Sequence, residues 1–159
     1  MIARRRDPRI SERRVYLVDT NVISAGAPSR GAPAELIEWM DAQSASLWLS
    51  AVTVMEIEDG VAKLRRERAT RKSADLAAWL EALLHLYGER VLPLDMPTAR
   101  IAGRLSDRAR EQGQGPGLAD IIIAATAERH GLTILSRNVR HFAPLAVPAL
   151  DPFAALPPA

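Results

Sequence analysis

Apolar residues along this chain occur in short unbroken runs rather than in strict alternation with polar residues. The first run, from Val15 to Val18, stops abruptly at Asp19. A run of this kind is typical of a strand that is buried on both faces of a parallel sheet. Four further runs, the last of them weak, occur at 47–49, 91–94, 132–135 and 146–150. The pattern therefore predicts a sheet of about five short strands.

Between these runs the apolar residues recur every three or four positions, which is the spacing of one helix face. Helices are predicted to begin near Pro33, Thr53, Ser73 and Leu118, and the last of them is predicted to run to His130 and to end at Gly131. The spacing of Ile101, Leu105 and Ala109 indicates a further helix. Short strands that alternate with helices indicate a single α/β domain, with a central parallel sheet flanked by helices. In such folds ligands bind at the carboxyl ends of the strands, so the polar residues that follow each strand are the candidates for chemistry.

Composition narrows the class of protein. Of the 159 residues, 48% are hydrophobic and 25% are charged, which is the profile of one folded domain rather than of a disordered chain. No apolar run reaches the roughly 18–20 residues that span a bilayer, so we expect no membrane segment. The absence of cysteine excludes disulfides and thiolate ligands, which leaves oxygen and His ligands for any metal. A reducing cytoplasm is the natural expectation for such a chain.

The net charge of +2 is unevenly distributed along the chain. Residues 1–14 carry six arginines against Asp7 and Glu12, and we expect them to form a basic, disordered leader. The remainder carries 15 basic against 17 acidic residues, a net −2. A strongly basic body would indicate a nucleic-acid ligand. This body does not, so the case for such a ligand rests on the candidate site.

Asp19 ends the first predicted strand and begins the sequence Asp19-Thr20-Asn21-Val22. An aspartate here can simply cap the next helix or fill a turn. By position alone, that structural explanation is as good as a functional one. Two further carboxylates at comparable helix openings, Glu56 and Asp120, favour the functional interpretation.

Glu56 lies among apolar residues near the start of the second predicted helix. Thr53 and Glu56 have the spacing of a capping box, which is the structural alternative. A carboxylate beside a buried face needs a partner, because burying it alone is very costly. A shared cation is one such partner.

Asp120 is the strongest single signal in the sequence. Five apolar residues, 121–125, follow it in a segment that is hydrophobic nearly all round, which is typical of a buried helix. An exposed helix N-terminus stabilises an anion by only about 0.3–1 kcal/mol. Ligation of a divalent cation is a stronger reason to hold a charge there, so we expect Asp120 to be a metal ligand.

Ser136 and Asn138 follow the fourth predicted strand. Asparagine is common in turns, and the functional alternative gives the Asn138 carbonyl or the Ser136 hydroxyl to a cation or to its water. Hard oxygen ligands suit Mg²⁺ or Mn²⁺, whose chemistry at such sites includes phosphodiester hydrolysis. One ion and two ions are both compatible with these residues.

Five segments, taken in this order, resemble the PIN-domain ribonucleases, and within them the VapC/FitB-type toxins of toxin–antitoxin pairs. These segments are 16–22, 50–60, 92–95, 119–127 and 135–142. The resemblance runs from about residue 15 to residue 153, which would be the PIN domain, and leaves 154–159 as an expected flexible tail.

The resemblance implies a five-stranded parallel sheet, endoribonuclease activity on RNA, a homodimer and a cognate antitoxin. It places the family's acidic cluster, with its Mg²⁺ or Mn²⁺, on Asp19, Glu56 and Asp120. The fourth position of that cluster, often Asp, falls on Asn138, as in the FitB-like branch. This departure leaves three carboxylates for the cation.

The resemblance also implies supporting roles. Thr20, Asn21 and Ser136 match family positions that steady the acidic residues or bound water.

Two other functions compete with this interpretation. Haloacid-dehalogenase-like phosphatases also end their first strand with an aspartate, but they need a second Asp where this chain has Asn21, which cannot shuttle a proton. A non-catalytic module that keeps the fold and binds RNA or a partner is the other alternative, and the Asn138 departure favours it.

Basic residues cluster toward the end of the helix predicted to begin near Thr53. They are Arg65, Arg66, Arg68, Arg71 and Lys72. Such a run is usually a solvated face, and contact with RNA phosphates is the functional alternative. The three histidines, His85, His130 and His141, have no helical partner spacing for a metal and are not candidates.

Overall fold

The centre of the structure is a sheet of five parallel strands. The computed structural model describes residues 14–159, so residues 1–13 of the expected leader lie outside the described residues. The strands are β1 (Tyr16–Val18), β2 (Leu47–Ser50), β3 (Val91–Leu92), β4 (Thr133–Leu135) and β5 (Ala149–Leu150), and their order is β3-β2-β1-β4-β5. The predicted α/β fold with a parallel sheet of about five strands is confirmed.

Seven α-helices surround the sheet in the described part of the chain. They are α1 (Thr20–Ile23), α2 (Ala34–Ala42), α3 (Ala51–Arg66), α4 (Thr70–Tyr87), α5 (Met96–Glu111), α6 (Leu118–His130) and α7 (Val139–Phe142). The bounds of α6 agree with the prediction to the residue, because Gly131 takes a left-handed conformation and ends the helix. Within residues 14–159, no helix is long and apolar enough to span a bilayer.

Alternate residues of the central strands face two separate hydrophobic layers. Leu17 of β1 and Ile134 of β4 pack with apolar residues of α5 and α6. Tyr16, Val18 and Leu135 pack with residues of α2 and α4 on the other face. Because both faces are covered, these strands need apolar residues at every position, which explains their unbroken runs.

The start of α3 differs from the prediction. The helix begins at Ala51, and the Ser50 side chain caps it by accepting a hydrogen bond from the Val52 N–H at 3.2 Å. Thr53 is fully buried inside the helix, so the predicted capping box with Glu56 does not form. Glu56 is therefore left for another partner.

The start of α4 also differs from the prediction. The helix begins at Thr70, and Ser73 is buried with its hydroxyl donating to the Val61 carbonyl at 3.4 Å. Ser73 therefore joins α4 to α3 and does not begin the helix as predicted. The basic run consequently does not lie on one helix: it covers the end of α3, a turn in which Arg68 has φ 58°, and the first residues of α4.

The strand order places a switch point between β1 and β4. From β1 the chain adds β2 and β3 on one side of the sheet, and it adds β4 and β5 on the other. Connections on either side of such a point diverge and leave a crevice at the carboxyl ends of the two strands. Asp19 follows β1 at this point, and its N–H donates to the Leu135 carbonyl at 2.9 Å.

The C-terminal segment lies against the body of the protein. The Tyr16 hydroxyl donates to the Pro158 carbonyl at 2.7 Å, and Pro157 is buried. Residues expected to form a flexible tail thus contact the first strand.

Gly131, which ends α6, and Gly103, which lies inside α5, provide a matched test of how backbone conformation affects stability. Gly131 has φ 69°, and an added Cβ there would meet no atom within 4 Å. Gly131→Ala should therefore lower the free energy of unfolding by about 1 kcal/mol through backbone strain alone. Gly103, inside α5, would also place its Cβ in open space, and Gly103→Ala should raise that free energy by up to about 1 kcal/mol. Urea unfolding measures both changes, and the same sign for both would contradict this account.

Candidate active site

A cavity of about 600 Å³ is lined by residues that directly follow β1 and β4, together with residues of α3 and α6. Every predicted catalytic residue lies on its wall, and so do two of the three predicted supporting residues. These six are Asp19, Thr20, Asn21, Glu56, Asp120 and Asn138. The third supporting residue, Ser136, is fully buried and contacts Asp19.

Asp19 is held by hydrogen bonds to both of its carboxylate oxygens. Oδ1 accepts from the Thr20 N–H at 2.7 Å, which caps α1. Oδ2 accepts from the Ser136 hydroxyl at 2.6 Å and from the Asn21 amide at 3.2 Å. The side chain is 5% exposed, so the capping role and a place in the cavity wall coexist.

Burial dominates the electrostatics of Asp19. Removal from water raises the pKa of its carboxyl, and the nearby charge of Asp120 raises it further. Hydrogen bonds from Ser136 and Thr20, and the proximity of His141, act in the opposite direction without cancelling the increase.

Glu56 is half-buried on α3 and faces the same cavity. Its Oε2 accepts a hydrogen bond from the Thr20 hydroxyl. Burial raises the pKa of Glu56, the Thr20 hydrogen bond lowers it, and the charges of Asp19 and Asp120 raise it again. The predicted acidic residues are therefore close enough to repel one another, although they come from three distant segments.

Asp120 lies in the first turn of α6 and pairs with His141, which was not predicted as a site residue. Its Oδ2 lies 3.0 Å from Nδ1 of His141, which belongs to α7. His141 was excluded because no ligand stands at helical spacing from it, but its partner comes from a different helix. The sequence did offer one signal for His141, because it lies within 135–142, one of the five segments that carry the family resemblance.

Asn21 connects the turns that follow β1 and β4. Its amide nitrogen donates to Asp19 and to the Ser136 hydroxyl oxygen, both at 3.2 Å, and its carbonyl accepts from the Arg137 N–H at 3.1 Å. The Ser136 oxygen also accepts from the Asn138 N–H at 3.0 Å. Asn138 itself is exposed on the cavity wall, and within residues 14–159 its side chain caps no helix.

The carboxylates share a cavity without forming a closed set of ligands. Within residues 14–159, no group of three His, Asp or Glu side chains is arranged to hold a metal ion as it stands. In this arrangement Glu56 accepts a hydrogen bond from Thr20, and Asp120 contacts His141. The carboxylate donors are nevertheless all hard oxygen atoms. Burial, and to a lesser degree neighbouring carboxylates, raises the pKa of Asp19 and Glu56, and a divalent cation would stabilise their ionised forms.

Three further cavity-lining residues were not predicted from the sequence: Arg30, Arg137 and Phe153. The guanidinium carbon of Arg137 lies 4.5 Å from the centroid of the Phe153 ring. None of the basic residues from 65 to 72 is among the cavity-lining residues of the described chain.

The raised carboxyl pKa values predict how metal-free stability depends on pH. A carboxyl whose folded-state pKa is raised favours folding below its ordinary pKa and loses that contribution as pH rises through the raised value. Glu56→Gln removes one of the crowded charges. In the presence of EDTA at pH 8, the variant should therefore have a higher Tm than the wild type, and the difference should close as pH falls below about 4.

Glu58→Gln is the matched control, since Glu58 is exposed on the same helix. It should leave Tm unchanged across this pH range. Adding Mg²⁺ should raise the Tm of the wild type more than that of Glu56→Gln, by mass action. A lower Tm for Glu56→Gln at pH 8 in EDTA would contradict the crowding of charges.

Comparison with known proteins identifies relatives over most of the chain. The model of the PIN domain family matches residues 16–147. Toxin FitB of Neisseria gonorrhoeae is 35% identical over 141 residues, covering 87% of this chain and 99% of the relative. The VapC ribonuclease Y4jK of Sinorhizobium fredii is 33% identical over 144 residues, covering 87% of this chain and 98% of the relative.

Comparison with solved structures identifies similar proteins of the same kind. The crystal structure of FitAcB from Neisseria gonorrhoeae superposes with a TM-score of 0.76 at 37% identity, over 87% of this chain and 99% of that one. The structure of FitAB bound to an IR36 DNA fragment gives a TM-score of 0.70 at 32% identity, over 87% of this chain and 96% of that one. Fold and sequence therefore lead to the same set of relatives.

Proposed function

This chain belongs to the PIN-domain family, and on that premise we propose that it is a metal-dependent endoribonuclease that acts as the toxin of a type II toxin–antitoxin pair. The names of the relatives support both parts, since one is a toxin and another a VapC ribonuclease. The observation that carries the proposal is the convergence of Asp19, Glu56 and Asp120 on one cavity at the switch point of the sheet.

We assign these three carboxylates as the ligands of Mg²⁺ or Mn²⁺. A cation held by these residues would supply positive charge against a phosphoryl oxygen and would lower the pKa of a water molecule for the hydrolysis. The chain's own residues prepare for this: Ser136 and Asn21 fix Asp19, while Thr20 engages Glu56. Asn138 offers a neutral side chain beside the carboxylates, in a position to orient substrate or water.

His141 holds Asp120 in place through the contact between its Nδ1 and Asp120 Oδ2. A residue of this kind orients a ligand and acts through it, so His141 is a positioning residue. Its proximity also opposes part of the rise that burial causes in the pKa of Asp19. This favours the ionised carboxylate that a cation requires.

The phosphatase alternative has less support. Its general acid would stand at the position of Asn21, whose amide instead bonds Asp19, Ser136 and the backbone of Arg137. An amide in that place stabilises the turn and transfers no proton. The non-catalytic alternative differs from our proposal in one measurable respect, since a binding module needs no Mg²⁺ or Mn²⁺ for its function.

We further propose that the chain acts in the cytoplasm as a homodimer that a cognate antitoxin inhibits. The name of the relative toxin FitB supports an antitoxin, because a cell that makes a toxin needs an inhibitor of it. Met55 and Leu118, beside Glu56 and Asp120 along their helices, are 59% and 72% exposed. These two side chains offer apolar surface beside the site that a second protein would cover.

Two isosteric substitutions test the assigned chemistry. Asp19→Asn and Asp120→Asn each remove one negative charge while they keep the shape of the side chain. Each should lower the rate of RNA cleavage at least about a hundredfold, because even residues that merely support a metal ligand contribute 10–100-fold. Cleavage of a fluorescent RNA with Mg²⁺, Mn²⁺ or EDTA measures this, and circular dichroism checks folding. Cleavage at the wild-type rate by both variants would refute the site.

The toxin role predicts an effect in cells. Expression of the wild-type chain alone should slow growth, because uninhibited cleavage of RNA depletes a pool that the cell needs. Expression of Asp120→Asn at the same level should leave growth normal, and so should co-expression of the wild type with an antitoxin encoded beside its gene. Normal growth at high levels of active enzyme would count against the toxin role.

A further inference from the structure

One wall of the cavity has no part in the chemistry described above. Arg137, from the turn after β4, and Phe153, from the segment after β5, lie there with the guanidinium carbon 4.5 Å from the ring centroid. The segment that carries Phe153 lies beyond residues 16–147, which the family model matches. The aromatic part of this wall is therefore contributed by a part of the chain outside that match.

The backbone is fixed on both sides of this pair. The Arg137 N–H donates to the Asn21 carbonyl at 3.1 Å, within the same network that holds Asp19. The Phe153 N–H donates to the Asp151 carboxylate at 2.9 Å, and the intervening Pro152 is buried. Hydrogen bonds thus determine where the pair lies relative to the carboxylates.

The guanidinium of Arg137 keeps its polar edge available. Among residues 14–159, it makes no ion pair and donates no side-chain hydrogen bond, and its contact is the face of the Phe153 ring. Stacking uses the face of a guanidinium and leaves its N–H groups for an acceptor, and their planar fork matches a phosphate. An arginine held in this way loses little conformational freedom when it binds an anion.

An RNA strand that enters this cavity meets three carboxylates. The chain from residue 15 onward has a net charge of −2, so the net charge of this part does not attract a polyanion. The basic side chains among the described cavity-lining residues are Arg30 and Arg137. Of the two, Arg137 follows directly after Ser136, which bonds Asp19, and it lines the same cavity as the three carboxylates.

We propose, on the basis of the ribonuclease function above, that Arg137 binds a backbone phosphate of the RNA next to the scissile phosphodiester, with Phe153 positioning its guanidinium. Contacts with phosphates fix the register of a nucleic acid without reading its bases. The pair accordingly determines where the strand lies relative to Asp19, Glu56 and Asp120, and it contributes affinity more than rate.

Single-turnover cleavage of a fluorescent single-stranded RNA, at several salt concentrations, tests this assignment. Arg137→Ala should raise the half-saturating enzyme concentration about tenfold, with the maximal rate changed less than about twofold. It should also reduce the dependence of log affinity on log salt by about 0.7, the contribution of one phosphate contact to a single strand. Arg140→Ala is the matched control, because Arg140 is exposed three residues later and does not line the cavity.

Phe153 is tested through the same readouts. Phe153→Leu should raise the half-saturating concentration about threefold while the salt dependence stays unchanged, since the charge of Arg137 remains. Phe153→Tyr keeps an aromatic face and should restore wild-type binding. A purely structural role for Phe153 would lower Tm in Phe153→Leu without this change in affinity.

Two results would overturn the proposal: Arg137→Ala behaving like Arg140→Ala, or Arg137→Ala losing maximal rate with unchanged half-saturation. If the wild type cleaves no RNA with Mg²⁺ or Mn²⁺, the proposed ribonuclease function fails, and binding of the same RNA is measured by fluorescence anisotropy. Weaker binding and a smaller salt dependence of Arg137→Ala would then support the Arg137 contact. Equal affinity would refute it.

Discussion

The hydrogen bond between the Ser136 hydroxyl and the Asp19 carboxylate is the interaction on which the site depends. It joins the residues that follow β1 and β4, the two strands on either side of the switch point. Asn21 reinforces the same junction by bonding Asp19, Ser136 and the Arg137 backbone. Because a parallel sheet opens a crevice where its connections diverge, this junction forms the floor of a cavity, and the other functional side chains are arranged around it.

Negative charge is concentrated at this floor at a cost to the fold. Burial and mutual repulsion raise the pKa values of Asp19 and Glu56, so their ionised forms are disfavoured in the folded protein. The hydroxyls of Thr20 and Ser136, together with His141, offset part of this cost. Sites that bind cations commonly carry such strain, because the charge that destabilises the empty protein is the charge that recognises the ion.

Features that depend on local sequence were predictable here. The unbroken apolar run of β1 follows from burial on both faces, and the end of α6 follows from Gly131. The starts of α3 and α4 were placed wrongly, because a serine or threonine that caps a helix looks the same in sequence as one buried inside it. Ser50 caps α3, whereas Thr53 and Ser73 lie inside α3 and α4.

The candidate site was also predictable only where local sequence determines it. Asp19, Glu56 and Asp120 could be selected because each carboxylate stands beside apolar residues near a helix opening, and the structure places all three on one cavity. The pairing of His141 with Asp120, and that of Arg137 with Phe153, could not be predicted. Each pair depends on how separate elements pack together, and the periodicity of residues along one element does not predict contacts between elements.

The bond between Ser136 and Asp19 spans 117 positions of sequence, which has a consequence during synthesis on the ribosome. A chain still being translated carries Asp19 and Glu56 early, but it cannot complete the cavity until β4 has emerged and inserted beside β1. Non-local pairing of this kind is slow and comes late in folding. If the chain is the RNA-cleaving toxin that we propose, the topology of its sheet delays the appearance of activity until β4 and Ser136 have been made.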